Sequence, residues 1–590
     1  VLPSDVVYVL GISAFFHDSA ACLVRDGEIV AAAEEERFSR IKHDAGFPRA
    51  AVAYCLRAAE IEMADVDLVV FYEKPLLKFQ RLFATYLEHA PRGYRQFRLS
   101  AARWLGRRLR IRRELDRGLG HGYRGRYYFT EHHESHAASA FFPSPFDDAA
   151  IVTLDAVGEW ATTSIAHGRE GRVEMLRELR FPHSLGLLYS AMTAFTGFRV
   201  NSGEYKLMGL APYGEPIHRD TILRELIELR DDGSFRLNMR YFAFDRADVM
   251  TSPAFDRLFG GPPRHESAPI TRREMDLAAS VQSVTEEVVL RITRHARELT
   301  GSPDLVLAGG VALNCVANGH LLRSGVFDRI WVQPAAGDSG AALGCALFAW
   351  HHLLDNPRPA TTSDAMRGCF LGPRFGNDEI RRYLESVGAR FHVKPDEGAL
   401  CTRVAELIAD GKIVAHFAGR MEFGPRALGN RSILADAREP DMQRTLNLRI
   451  KFRESFRPFA PAVLRERVHE YFVWAEGMDS PYMGFVTDVR SPQELPAITH
   501  VDGSARIQTV DPDRHPRLHG ILRAFERRTG CPLIINTSLN VRGEPIVHTP
   551  AEAYHCLMST GIDVLILENT LVYFEEQPAA NRRATKVAAD

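Results

Sequence analysis

At 590 residues the chain is too long for one ordinary core, so two domains are expected. Hydrophobic residues make up 45% and charged residues 25%, the balance of a globular protein, and no apolar run is long enough to span a bilayer. Lys+Arg 73 against Asp+Glu 75 leaves a net charge of -2, which argues neither for nor against a polyanionic partner; eight cysteines without a Cys-x-x-Cys pair and an N-terminus without signal-peptide build point to a cytoplasmic enzyme.

Residues 7–13 read as a buried strand and 20–24 as a second, and Asp26-Gly27 is a turn of the type that needs positive φ before a third strand at 28–33. His17 lies in the first turn, Ser13-Ala14-Phe15-Phe16-His17-Asp18-Ser19, where an imidazole can deprotonate a hydroxyl or simply bond to backbone. Residues 92–126 hold twelve arginines interleaved with Trp104 and leucines. Such a tract can touch nucleic acid, but more often it is a solvated amphipathic helix pair, so a nucleic-acid partner is not expected. In Glu131-His132-His133-Glu134-Ser135-His136, two histidines four apart project from one helix face and can share a metal ion. Three readings stand: a zinc hydrolase helix, a metal site holding a phosphate, or ordinary surface histidines. The hydrolase pattern needs its glutamate directly after the first histidine, and that position is His133.

The opening arrangement recurs at 151–155, 162–166, a turn ending at Gly171, and 173–176, with Gly11 to Gly27 and Asp155 to Gly171 spanning equal intervals. Two such copies resemble the actin-like ATPase and sugar-kinase superfamily, in which each half offers a hairpin to nucleotide phosphates. The superfamily's glycine-rich adenosine loop has its counterpart in Ala308-Gly309-Gly310-Val311-Ala312-Leu313-Asn314 after a strand. A further strand, 329–332, puts Asp338 where such sheets place ligands. His132, His136, Asp155 and Asp338 then form a candidate metal shell whose donors suit iron(II), manganese or zinc. The 215–275 insertion carries no motif.

Residues 354–363 form the best linker, giving domains at 1–355 and 366–590, and the tail from 577 is expected to fray. The second domain is rich in cations beside turns. Residues 419–432 crowd Arg420, Arg426 and Arg431 between glycines. In 451–461, alternation sets Lys451, Arg453 and Arg457 on one side of an extended segment. Arg506 lies in a strand-like run, and Asn536, Ser538, Asn540 and Arg542 follow an apolar one. Convergent Lys, Arg, Ser and Asn bind small phosphates, although surface ion pairing explains any one cluster.

These motifs, with Glu35-Glu36-Arg37-Phe38-Ser39-Arg40, Lys42-His43-Asp44 and 201–209, resemble the NodU/CmcH carbamoyltransferase family over nearly the whole chain. The resemblance implies an α/β fold: a duplicated actin-like N-terminal domain and a YrdC-like α/β C-terminal domain. It also implies two steps, in which carbamoyl phosphate and ATP give carbamoyl adenylate and the carbamoyl group then passes to a hydroxylated small-molecule acceptor. Carried over by motif, Arg426, Lys451, Arg457, Arg506, Asn536 and Ser538 would bind carbamoyl phosphate and ATP. Lys42, Gly309, Gly310 and Asn314 would serve the adenylate, and His17 would be the base. His132, His136, Asp155 and Asp338 would hold iron(II) or a similar ion, with magnesium possible beside ATP. A homodimer is compatible with this reading. Threonylcarbamoyl transfer to tRNA is the alternative. It ranks second because the carbamoyltransferase motifs occupy the cleft positions, while a protease fails on Glu134 and a sugar kinase on His17.

Overall fold

A computed structural model describes residues 6–578 apart from 92, 95–96, 99–100, 102–110, 121, 361–362 and 454–455. The chain forms two compact units. One holds the residues up to Glu35 together with Ala45–Ala365; the other holds Glu36–Asp44 together with the residues from Met366 on. Much of the arginine-rich 92–126 tract lies outside the described residues. In its described part Arg117 pairs with Glu114 at 3.0 Å, the local pairing of a solvated helix. No helix among the described residues is long and apolar enough to cross a membrane.

The first unit contains two five-stranded sheets. The first uses β1 (Tyr8–Ser13), β2 (Ala20–Arg25), β3 (Glu28–Glu34), β4 (Leu68–Phe71) and β5 (Arg126–Phe129) in the order β3-β2-β1-β4-β5. The second uses β6 (Ala149–Leu154), β7 (Ala161–Arg169), β8 (Arg172–Arg180), then, past a small hairpin of β9 (Ile227–Leu229) and β10 (Phe235–Leu237), β11 (Asp304–Ala308) and β12 (Arg329–Val332). Its order, β12-β11-β6-β7-β8, is the same topology read from the other edge. In both, the first strand is antiparallel to the second and parallel to the fourth. The turns repeat as well: Asp26 and Gly27 have φ of 48° and 86°, Glu170 and Gly171 of 52° and 70°. Positive φ at both central residues marks a type I′ hairpin turn, whose twist matches its strands. This is the duplicated α/β fold expected from the repeated strand pattern.

Each fifth strand is followed by a helix: His132–Phe141 after β5 and Asp338–Phe348 after β12. The two pack together, and at Gly344 a Cβ would overlap the Ser135 carbonyl oxygen, so only glycine permits the approach. The small residues after His136 allow this contact.

The second unit is built on a nine-stranded mixed sheet, the α/β architecture expected of this half. Its strands are β13 (His392–Val393), β14 (Val414–Phe417), β15 (Arg431–Ala435), β16 (Ala460–Leu464), β17 (Phe485–Asp488), β18 (Ser504–Val510), β19 (Leu533–Ser538), β20 (Val564–Leu567) and β21 (Thr570–Tyr573). They lie in the order β13-β21-β20-β14-β15-β19-β16-β18-β17. Residues 36–44 were expected in the N-terminal domain but belong here. Arg37 donates to the Gly424 carbonyl at 2.7 Å, and Arg40 donates to Ile546 and Pro545 at 2.7 and 2.8 Å and pairs with Glu552. Sequence adjacency loses to these long-range bonds.

Two buried histidines make this unit acid-sensitive. His416 Nδ1 donates to the Gly429 carbonyl at 2.6 Å, and His515 Nδ1 accepts from Leu518 N at 3.2 Å, capping the helix Pro516–Thr529. Burial, with the charge of Arg517, pushes both down to about 3, so both fold neutral. Below the ordinary value of 6.5 the unfolded chain takes up two protons that the folded one refuses. Stability therefore falls with pH by about 2.7 kcal/mol per unit across that window. Urea unfolding at pH 7 and 5 should show this loss, and His515→Asn, which keeps a capping acceptor, should remove about half of it.

Candidate active site

The duplication brings the N-termini of two equivalent helices together, and a candidate metal site forms there. His132 and Asp338 are the first residues of their helices, His136 lies one turn along the first, and Asp155 follows β6. One ligand atom from each of the four lies within 4.8 Å of the others. His132 Nε2 is 2.9 Å from Asp155 Oδ2, 3.1 Å from His136 Nε2 and 3.6 Å from Asp338 Oδ1. His136 Nε2 is 3.9 and 3.8 Å from the same two carboxylate oxygens. All four are buried or nearly so, and Asp338 Oδ2 has no hydrogen-bond partner. Two imidazoles, two carboxylates and an orphaned acceptor fit a divalent cation; the donor set suits iron(II), manganese or zinc alike.

The electrostatics agree. Burial disfavours a charged His132, yet its bond to Asp155 and the charge of Asp338 win and raise it to about 9. Asp155 is held well below the carboxylate range, its burial overcome by His132 and His136. His133 points away toward Ser164 Oγ, and burial, then the His132 charge, push it down to about 3. Glu134 closes a capping box by accepting from Glu131 N at 2.8 Å, so it serves the helix rather than any hydrolysis. The sequence reading missed Glu159, whose buried carboxylate accepts from His132 N at 3.1 Å and Lys74 N at 2.7 Å and fixes the entry to the helix. Its signal was the Gly158-Glu159 turn after Asp155.

His17 lies at the edge of this cluster, with Nδ1 3.0 Å from Asp18 and Nε2 3.9 Å from Asp338. Burial lowers its pKa, but Asp338 and Asp18 outweigh that and raise it to about 9. Gly310 N donates to Asp155 Oδ1 at 3.2 Å, tying the glycine loop to the same cluster. Gly309 takes φ of 87° with its α-carbon against Leu154 O, a place no side chain fits. Asn314 is occupied otherwise: its Oδ1 caps the helix Cys315–Arg323 through Ala317 N, and its amide pairs with Gln282 at 3.0 and 3.1 Å.

The second unit carries the cationic cluster. Lys451 is not on an extended segment, as alternation suggested: it ends a short π-helical turn, Leu446–Ile450, and Phe452 has φ of 48°. A bulged helix here satisfies the Arg453 N–H through Asn447 O at 3.0 Å, and Arg453 Nε bonds Asn447 Oδ1 at 2.7 Å. Lys451 Nζ donates to Ser538 O, to Asn540 Oδ1 at 2.9 Å and Asn540 O at 3.1 Å, and lies 3.2 Å from Ser538 Oγ. Burial, then Arg453, Arg457 and Lys42, hold it well below an ordinary lysine. Lys42 thus belongs to this unit, whereas Gly309, Gly310 and Asn314 belong to the other. Arg457 is half-buried, and its carbonyl accepts from Asn447 at 3.0 Å.

Of the three arginines between glycines, Arg431 is fully buried over Phe417 and bonds the carbonyls of Ala418, Gly419 and Pro373, and Arg420 bonds those of Leu371 and Gly372. Both are structural, and Arg426 is left half-buried in the loop. Glu422, also missed from sequence, shapes that loop by accepting from Leu428, Asn430 and Arg431 N at 2.8 to 3.2 Å.

Known proteins share this organisation. The family described as Carbamoyltransferase N-terminus matches residues 8–347, and that described as Carbamoyltransferase C-terminus matches 405–573. An uncharacterized protein of Synechocystis is 53% identical, over 97% of this chain and 98% of its own length. Nodulation protein NolNO of Sinorhizobium fredii is 38% identical over 95% and 79%. The 3'-hydroxymethylcephem-O-carbamoyltransferase of Amycolatopsis lactamdurans is 26% identical over 94% and 97%.

Proposed function

The chain belongs to the carbamoyltransferase family, and on that premise we propose that it makes carbamoyl adenylate from carbamoyl phosphate and ATP and transfers the carbamoyl group to a hydroxyl of a small-molecule, natural-product acceptor. The observation that carries this reading is the four-ligand cluster with His17 at its edge. In the first step water cleaves carbamoyl phosphate to carbamate and phosphate. A carbamate oxygen then attacks the α-phosphorus of ATP and pyrophosphate leaves. In the second, the acceptor oxygen attacks the carbamoyl carbon, the bond to the adenylate oxygen breaks, and AMP departs. His17 Nε2 takes the hydroxyl proton, held in place by Asp18 on Nδ1. His132, His136, Asp155 and Asp338 would hold a cation, iron(II) in our reading, whose charge would steady the leaving phosphate and offset the carboxylates that raise the His17 pKa.

The name of the cephem relative places its carbamoyl group on a hydroxymethyl oxygen, in keeping with an oxygen acceptor here. A cavity of about 130 Å³ lined by Trp160, Phe181 and Met239, with Glu88, His89 and Asp245, lies partly against the 215–275 insertion and suits part of an acceptor. The test is pyrophosphate release from labelled ATP. We expect release only with carbamoyl phosphate present, and then a mass gain of one carbamoyl group on an accepted hydroxyl compound. Release indifferent to carbamoyl phosphate, or none at all, would overturn the reading.

A further inference from the structure

Gln508 sits beside the cationic cluster and was not singled out by any motif. It is 3% exposed, and Asn536 is 1% exposed. They belong to β18 and β19, which flank β16, and the β16 residues between them are small: Ala462 pairs with Gln508 and Ala460 with Asn536. Paired residues share a sheet face, so the two long amides meet above a floor of alanines. Gln508 Nε2 donates to the Leu428 carbonyl at 2.8 Å, and Asn536 Nδ2 donates to Gln508 Oε1 at 2.7 Å.

This chain of bonds has only one sense. Leu428 O is a backbone acceptor and cannot turn into a donor, so Gln508 must offer it the NH₂ end. Its oxygen then faces Asn536, which must in turn offer its own NH₂, and that NH₂ also donates to the Ala427 carbonyl at the longer distance of 3.4 Å. Asn536 Oδ1 is left buried with no hydrogen-bond partner. Arg506 stands two residues before Gln508 on β18 and so on the same sheet face, and its Nε is likewise buried with no hydrogen-bond partner. One unsatisfied acceptor and one unsatisfied donor therefore stand on the same face of the sheet. Buried orphans of this kind are costly unless a ligand completes them.

We propose that Gln508 is a positioning residue that locks the Asn536 amide with its oxygen toward the substrate, so that Asn536 reads the NH₂ of carbamoyl phosphate. This rests on the reading that the second unit binds carbamoyl phosphate. Within that substrate the carbamoyl nitrogen is the one good hydrogen-bond donor, since its phosphate and carbonyl only accept. It lies close enough to the phosphate for Arg506 and Asn536 to grip both ends. Acetyl phosphate has the same shape with a methyl in place of NH₂, so the Asn536 oxygen rejects it by leaving itself unpaired.

The experiment compares the KM of carbamoyl phosphate with the Ki of acetyl phosphate in the pyrophosphate-release assay, for wild type, Gln508→Leu and Gln508→Glu. Wild type should prefer carbamoyl phosphate. Gln508→Leu leaves the Asn536 amide held only by its long 3.4 Å bond to the Ala427 carbonyl, so the preference should shrink by roughly tenfold, through carbamoyl phosphate KM, with kcat and acetyl phosphate Ki nearly unchanged. Gln508→Glu still accepts from Asn536 Nδ2 and, protonated, still donates to Leu428, so it should restore the preference. If both ligands weaken in parallel in Gln508→Leu, or Gln508→Glu behaves like it, the positioning role is wrong. A wild-type enzyme with no carbamoyl-phosphate-dependent release instead sinks the underlying reading, and this inference with it, before any variant is made.

Discussion

His136→Ala is expected to abolish metal binding at the proposed site and to lower carbamoyl transfer by about 10² to 10³-fold, while pyrophosphate release dependent on carbamoyl phosphate stays near wild type. The imidazole is fully buried, and its Nε2 lies within 4 Å of His132, Asp155 and Asp338. Three remaining ligands, two of them carboxylates, would be left with a hole where the fourth donor stood. Metal content by elemental analysis and the two half-reactions measured apart decide the matter. His136→Gln separates loss of the ligand from loss of volume. Glu134→Gln is the internal control: its carboxylate caps the helix, so its change should cost about 1 kcal/mol of stability and leave transfer and metal content intact. A His136→Ala enzyme with full metal and full transfer would falsify the assignment of this cluster to the transfer step.

Much of this site was readable because its signals are local. A dipeptide such as Asp26-Gly27 dictates its own turn, two histidines four apart dictate a shared face, and a strand ending in Asp155 dictates where that carboxylate stands. The convergence of Asp338 on His132 followed from the duplication, since equivalent helices start at equivalent places. What stayed hidden depends on bonds between distant residues. Nothing in Arg37 or Arg40 announces that Gly424, Pro545 and Ile546 will claim them. Arg431 and Arg426 look alike in a glycine-rich run, and only packing over Phe417 makes one structural. Nothing around Asn314 in sequence announces that Gln282, on another helix, will bond its amide. Lys451 was misread because a single positive-φ residue, Phe452, breaks the alternation on which an extended strand depends. Gln508 carried no signal, since an amide among β-formers gains meaning only from the Leu428 carbonyl above it.

Arg506 and Lys451, both assigned by motif to phosphate binding, should fail in different ways. A lysine amine has at most three N–H donors, and four protein acceptors from Ser538 and Asn540 surround that of Lys451. It is a buried amine that builds the Ser538–Asn540 turn, and its donors are committed to protein. Lys451→Ala leaves several of those acceptors unsatisfied, at about 1–3 kcal/mol each, so the melting temperature should fall along with activity. Arg506 projects from β18 with Nε buried and no hydrogen-bond partner, a donor held ready for an anion. Arg506→Ala should therefore melt near wild type yet lose about 10² to 10³-fold in kcat/KM for pyrophosphate release. Arg506→Lys should recover little of this, because a lysine cannot reproduce the planar, two-donor grip of a guanidinium on phosphate. Thermal shift gives a readout independent of turnover. Carbamoyl phosphate should raise the wild-type melting temperature through binding to the folded state alone, and the shift should vanish in Arg506→Ala. If the shift survives there and vanishes only in Lys451→Ala, the lysine holds the anion directly and the roles drawn from their donors are reversed.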